Sequence, residues 1–136
     1  MKWFKNLFLL IVVMNIVACS SNDINITNVV EIQVTEFDTF GSVNHEDPVV
    51  FTDEETVETF MEAIHSAKKE EGVVDMDFGD FDLNVISSDG KEEGFHLWLR
   101  EDMERGSIMR VENTHVVYTL SKKSTQELKD ILFDLS

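Results

Sequence analysis

The sequence has one cysteine, one proline and one tyrosine in 136 residues. It is also short of positive charge: 11 Lys and Arg stand against 27 Asp and Glu, a formal net charge of −16. A single cysteine excludes an internal disulfide and a cysteine-based metal site built by this chain alone. Scarce Lys and Arg exclude a nucleic-acid binder, because phosphate contacts need clustered positive charge. The six glycines are scattered through turns, so there is no glycine-rich phosphate loop. G-x-S-x-G and H-E-x-x-H are absent, and the expectation is a protein that is not an enzyme. The length suits one domain. A hydrophobic share of 43% is too high for an acidic disordered chain.

What is present begins with an address. Lys2 and Lys5 give a basic start, and Leu7 to Met14 is an apolar run that resumes at Ile16-Val17-Ala18 before Cys19. A charged start, a short apolar stretch and a small residue before the cut read as a signal peptide over residues 1–18. The run is short for a permanent span, which needs roughly 20 apolar residues. Ile16-Val17-Ala18-Cys19 resembles the lipobox of bacterial lipoproteins. That resemblance implies cleavage after Ala18 and a diacylglyceryl lipid on the Cys19 thiol. No other cofactor is expected. Two or three acyl chains hold far more firmly than one, at ~0.8 kcal/mol per buried methylene. Loss of Lys2 and Lys5 lowers the basic count from 11 to 9 and leaves the mature chain at −18.

Residues 19–28, Cys19 and a polar stretch with two isolated isoleucines, read as a lipidated flexible tether. Residues 29–136 read as one α+β domain. Val30, Ile32 and Val34 alternate with polar neighbours as a strand. Residues 37–48 form a loop. Thr52-Asp53-Glu54-Glu55 is a capping box before Val57, Phe60, Met61 and Ile64, one face of a helix ending near Lys68 and Lys69. Strands follow around 81–86, 95–99, 108–111 and 115–120, the first two joined by a Ser88-Asp89-Gly90-Lys91 turn. Ser124-Thr125-Gln126-Glu127 begins a second helix carrying Leu128, Ile131, Leu132 and Leu135. The order β-α-β-β-β-β-α predicts a two-layer sandwich: an antiparallel sheet of about five strands with two helices on one face.

The strand Phe95-His96-Leu97-Trp98-Leu99, the segment Val117-Tyr118-Thr119-Leu120-Ser121-Lys122 and the closing Thr125-to-Leu132 helix sit behind a lipoprotein start. Together they resemble the YhfM-like domain of small lipoproteins from bacilli. The resemblance covers the mature domain from about Val29 onward. It implies this fold and a Gram-positive surface location, and it carries over no catalytic residue.

Candidate sites are few. Asp75, Asp77, Asp80 and Asp82 could bind a divalent cation or small ligand, although Asp75 to Asp82 fails the calcium-loop pattern at its turn glycine. The competing reading is a solvated loop anchored to the core by Phe78 and Phe81. His45, His65, His96 and His115 show no metal-ligand spacing. His96 and Trp98 share a strand face opposite Phe95, Leu97 and Leu99, so with Tyr118 they offer an outer sheet face where a partner could bind; the competing and simpler reading is that Trp98 covers the open side of the sheet with Tyr118 and Val116. Arg100, Arg105 and Arg110 could hold an anion, but they read more simply as partners of nearby carboxylates. The expected function is a membrane-anchored extracytoplasmic lipoprotein on the outer leaflet. It would be an accessory or binding domain of the cell envelope, with an unidentified envelope protein or small ligand as partner. The alternative is a cation or ligand binder using residues 75–82.

Overall fold

The computed structural model describes residues 22–72 and 75–134. The signal peptide, the lipobox and Cys19 lie outside the described residues. Seven strands form one antiparallel sheet, and two helices complete the α+β fold. The strands are β1 (Val29–Glu36), β2 (Val49–Phe51), β3 (Lys68–Lys69), β4 (Phe81–Ser87), β5 (Glu92–Trp98), β6 (Ser107–Arg110) and β7 (Tyr118–Thr119). The helices are α1 (Glu54–Ser66), after β2, and α2 (Lys122–Phe133), after β7. The sheet order is β2-β1-β4-β5-β6-β7-β3. Helix α1 therefore links strands at opposite edges, and it crosses the inner face of the sheet to do so.

The inner face is apolar because every second strand residue is. Ile32, Val34, Leu83, Val85, Phe95, Leu97 and Ile108 are buried there with Val57, Phe60, Met61 and Ile64 of α1 and Leu128 of α2. Burial of each such side chain contributes about 1.5–3 kcal/mol. Both helices begin on a side-chain cap. Asp53 accepts the Thr56 amide at 3.0 Å, and Ser121 accepts the Ser124 amide at 3.0 Å. The caps differ from the predicted Thr52 and Ser124. Ser124 instead lies buried within the first turn of α2.

Three further differences bear on the site. The sheet has seven strands rather than about five, because Val49–Phe51 pairs with β1 and Lys68–Lys69 pairs with β7. The lysines do not end α1; its cap is Ala67, in extended conformation. Residues 22–28, expected to be free tether, are docked. Ile24 and Ile26 are buried in the core, and the Asn22 carboxamide donates to Ile64 O at 2.7 Å and Ala67 O at 2.8 Å. It thereby joins the Ala67 amide, 3.4 Å from Ile64 O, in satisfying the carbonyls at the end of α1.

Candidate functional site

Strand β5 places Gly94, His96 and Trp98 on the face turned away from the helices. Gly94 lacks the Cβ that would run into Val43 Cγ2, so the 37–48 loop can lie directly on β5. The loop is fixed by two bonds to a buried pair. The Gly41 amide donates to His96 Nε2 at 3.1 Å, and the Asn44 amide donates to Asp82 Oδ2 at 2.8 Å. His96 Nδ1 lies 2.6 Å from Asp82 Oδ1, and neither side chain is exposed. An amide can only donate, so Nε2 is the acceptor and this network assigns the ring proton to Nδ1, facing the carboxylate. Both Asp82 oxygens are thus hydrogen-bonded. Without those bonds, burying a carboxylate would cost several kcal/mol.

Over this pair lies an aromatic cap. Phe37 meets His96 edge-on at 5.0 Å, and Phe40 packs against Phe37 at 5.0 Å and Trp98 at 6.2 Å. Phe78, from the other covering loop, lies 6.2 Å from Phe37 and 6.3 Å from Phe40. Gly79 makes room for the Phe37 ring, which would stand only 2.7 Å from a Cβ there. Trp98 Nε1 donates to Asp77 O at 2.9 Å and ties the second loop down. Phe78 is 77% exposed and Phe40 37%, whereas Trp98 beneath them is 2% exposed.

The expected partner face is therefore corrected. His96 and Trp98 do share the outer face, but both loops cover them. Tyr118 lies on the opposite face, in the inner core, with its hydroxyl donating to Asp23 Oδ1 at 2.6 Å. That environment shifts both groups. Burial, then the Asp23 hydrogen bond, pushes the Tyr118 hydroxyl up to about 12. The Tyr118 hydrogen bond holds the Asp23 carboxyl below its ordinary value. At the surface, the Thr56 hydrogen bonds lower Asp53, and the Lys122 hydrogen bond lowers Glu104.

The four acidic candidates are drawn apart. Asp82 is buried against His96, while Asp80 accepts the Leu99 amide at 3.0 Å and faces Arg100 at 3.4 Å. Asp75 and Asp77 are exposed. Among the described residues, no three His, Cys, Asp or Glu side chains converge as a metal ion would need. Phe78, expected to anchor its loop in the core, points to solvent instead. Arg110 pairs with Glu93 at 2.9 Å. On the helix side of the sheet, a groove of about 690 Å³ runs beside α1, lined by Ile26, Val29, Val57, Met61 and the carboxylates Glu54 and Glu58. It does not lead to His96, which lies across the sheet.

The cap escaped sequence reasoning because its residues come from two loops that meet only in the folded chain. One cue was available: Phe37, Phe40 and Phe78 are large apolar residues in otherwise polar segments. Chemically, a histidine held by a carboxylate is the base half of many hydrolytic sites. Here Nε2 is occupied by the Gly41 amide, and the pair acts as a latch for the loop.

A seven-stranded antiparallel sheet crossed by a helix defines the fold class, and a solved structure shares it. A thioesterase-like protein from Clostridium sporogenes ATCC 15579 superposes with a TM-score of 0.59 at 20% identity, covering 82% of this chain and 99% of that one. The likeness establishes the fold. It also corrects the expectation that the protein is not an enzyme: a protein described as thioesterase-like uses this fold, so missing short motifs no longer exclude an activity. The YhfM protein family matches residues 28–135, and the chain belongs to that family. No curated protein matches the chain.

Proposed function

We propose that the protein is a membrane-anchored extracytoplasmic lipoprotein that presents an accessory or binding domain in the cell envelope. The basic start, the apolar run and the Ala18-Cys19 junction support the anchor, a diacylglyceryl group on Cys19 in the outer leaflet. Among the described residues no helix is long and apolar enough to cross a membrane. The observation that carries the binding role is Phe78, 77% exposed at the tip of a braced aromatic cluster. Exposed aromatic groups on rigid supports are the side chains interfaces use most, because little conformational freedom is lost on contact. Exposed Asp75 and Asp77 precede Phe78 in the same loop, so the cap suits an envelope protein that offers apolar groups beside positive charge. The scattered carboxylates make the cation reading of residues 75–82 the weaker one.

Photocrosslinking in intact cells tests the binding face. A photoreactive phenylalanine at position 78 is expected to give a discrete adduct that Phe40→Ala diminishes, and the same group at the exposed Glu58 on α1 is expected to give none. Equal yields at the two positions, or none at 78, would remove the cap from the binding role.

A further inference from the structure

The 37–48 loop rests on the sheet through two kinds of contact, and they differ in their response to protons. Its ends are held by groups that do not titrate near neutral pH. The Phe37 amide donates to Asp80 O at 3.3 Å, the Thr35 hydroxyl donates to Asn44 O at 2.7 Å, and Val43 fills the notch at Gly94. Between these ends, residues 38–42 are tied to the sheet by the Gly41 amide, which donates to His96 Nε2 at 3.1 Å. Phe40, the neighbour of Gly41, packs on Trp98. A lone pair on a histidine therefore holds the middle of the loop, and with it part of the aromatic cap.

Histidine is the side chain that ordinarily changes charge between about pH 5 and 8. In the closed loop Nδ1 carries its proton toward Asp82, and Nε2 is taken up by an N–H. Both Asp82 oxygens already accept hydrogen bonds, from His96 and from the Asn44 amide, so an added proton goes to Nε2. There it would confront the Gly41 amide, donor against donor. With the loop lifted, Nε2 would meet water, and Asp82, 2.6 Å from Nδ1, would attract the positive ring. The open form takes up a proton that the closed form refuses, so acid shifts the population toward the open form. The other neighbours of the ring are uncharged: Met109 on β6, Phe37 and Phe40 from the loop, and Trp98 on β5. In the covering loops, Asp38, His45, Glu46, Asp47 and Asp77 are exposed, and Asp80 is engaged with the Leu99 amide and Arg100.

Resting on the reading of the cap as the binding face, we infer that His96 gates this face by protonation. The neutral ring holds the loop down and keeps Phe40 stacked with Phe78 at 6.3 Å. The protonated ring releases residues 38–42, uncovers Trp98 and dismantles the cap, so the surface lets its partner go in acid.

The mature chain, residues 19–136, tests this without partner or lipid, because Trp98 is its only tryptophan. On acidification from about pH 7.5 to 5, acrylamide quenching of Trp98 should rise several-fold. Protection of the Gly41 amide from hydrogen exchange, corrected for the intrinsic rate, should fall by up to about tenfold per pH unit. Both changes should share the midpoint at which the His96 ring nitrogens, followed by NMR, take up the proton. His45→Gln should leave the response unchanged. His96→Gln, whose amide oxygen can accept the Gly41 bond but does not titrate, should abolish it. A loop that stays closed while His96 protonates, separate midpoints, or a ring that stays neutral over this range would overturn the inference. So would the same transition in folded His96→Gln, or its loss in His45→Gln. Should His96→Gln not fold, the unsubstituted chain's midpoints decide. Failure of the binding reading would appear separately, as no adduct at position 78 at neutral pH with this transition intact.

Discussion

Tyr118 shows how a single residue ties the start of the described chain to its core. Its ring is buried among inner-face residues, and its hydroxyl reaches Asp23, 95 residues away in sequence. The hydroxyl holds its proton to about 12 in the folded chain, against an ordinary value of 10.0. An unfolded chain loses that proton first, so the contribution is fully present below about pH 10 and is lost as pH rises through about 12. For Asp23 the sign is opposite. Its carboxyl is held below 3.8, so its share is present above that value and is lost as pH falls through the lowered one. Because Tyr118 is the only tyrosine, phenolate absorbance reads it alone. Native protein is expected to titrate near 12 and urea-unfolded protein near 10. A native titration near 10 would mean that the contact with Asp23 is not held in solution.

At the scale of elements, the outer face depends on a loop seated on a strand. Gly94→Ala should lift the 37–48 loop, because the new Cβ would collide with Val43 Cγ2 and crowd Val111 Cγ2 at 3.0 Å. Hydrogen exchange at the Gly41 and Asn44 amides should then accelerate, and adding Val43→Ala should slow it again. Unchanged exchange in Gly94→Ala would show that the loop is not seated there. The elements most legible in the sequence were those with a long hydrophobic period. Strands β4 and β5, the Ser88–Lys91 turn and the apolar faces of both helices follow from alternation or from i, i+3, i+4 spacing. Strands β2, β3 and β7 have three, two and two residues, too few for a period, and pairing partners define them. Tyr118 fell on the wrong face for the same reason, since a strand assumed to run from 115 to 120 fixes no register of its own. The helix caps were each displaced because Thr52, Asp53, Ser121 and Ser124 all have capping chemistry, and the backbone chooses among them. The His96–Asp82 latch was illegible in a different way. Its two residues face each other across β4 and β5, but only the loop amides explain why a buried carboxylate is tolerated there.

At the scale of the whole molecule, the fold has three working regions. The corner at α1, β3 and β7 receives the N-terminal segment. The inner core supplies stability without any disulfide, as the single cysteine requires. The outer face carries the aromatic cap with Phe40 and Phe78 open to solvent. The proposed lipid on Cys19 would join these regions. With it, Asn22, where the acidic domain begins, would lie within about 11 Å of the lipidated residue, a distance set by three residue steps. Without it, the docked segment would merely complete the core. Intact-mass measurement of the protein extracted from cell membranes tests this most directly. The account predicts a chain lacking residues 1–18, with a diacylglyceryl group on the Cys19 sulfur. A membrane-extracted protein that keeps residues 1–18, or that bears a free Cys19 thiol, would contradict it.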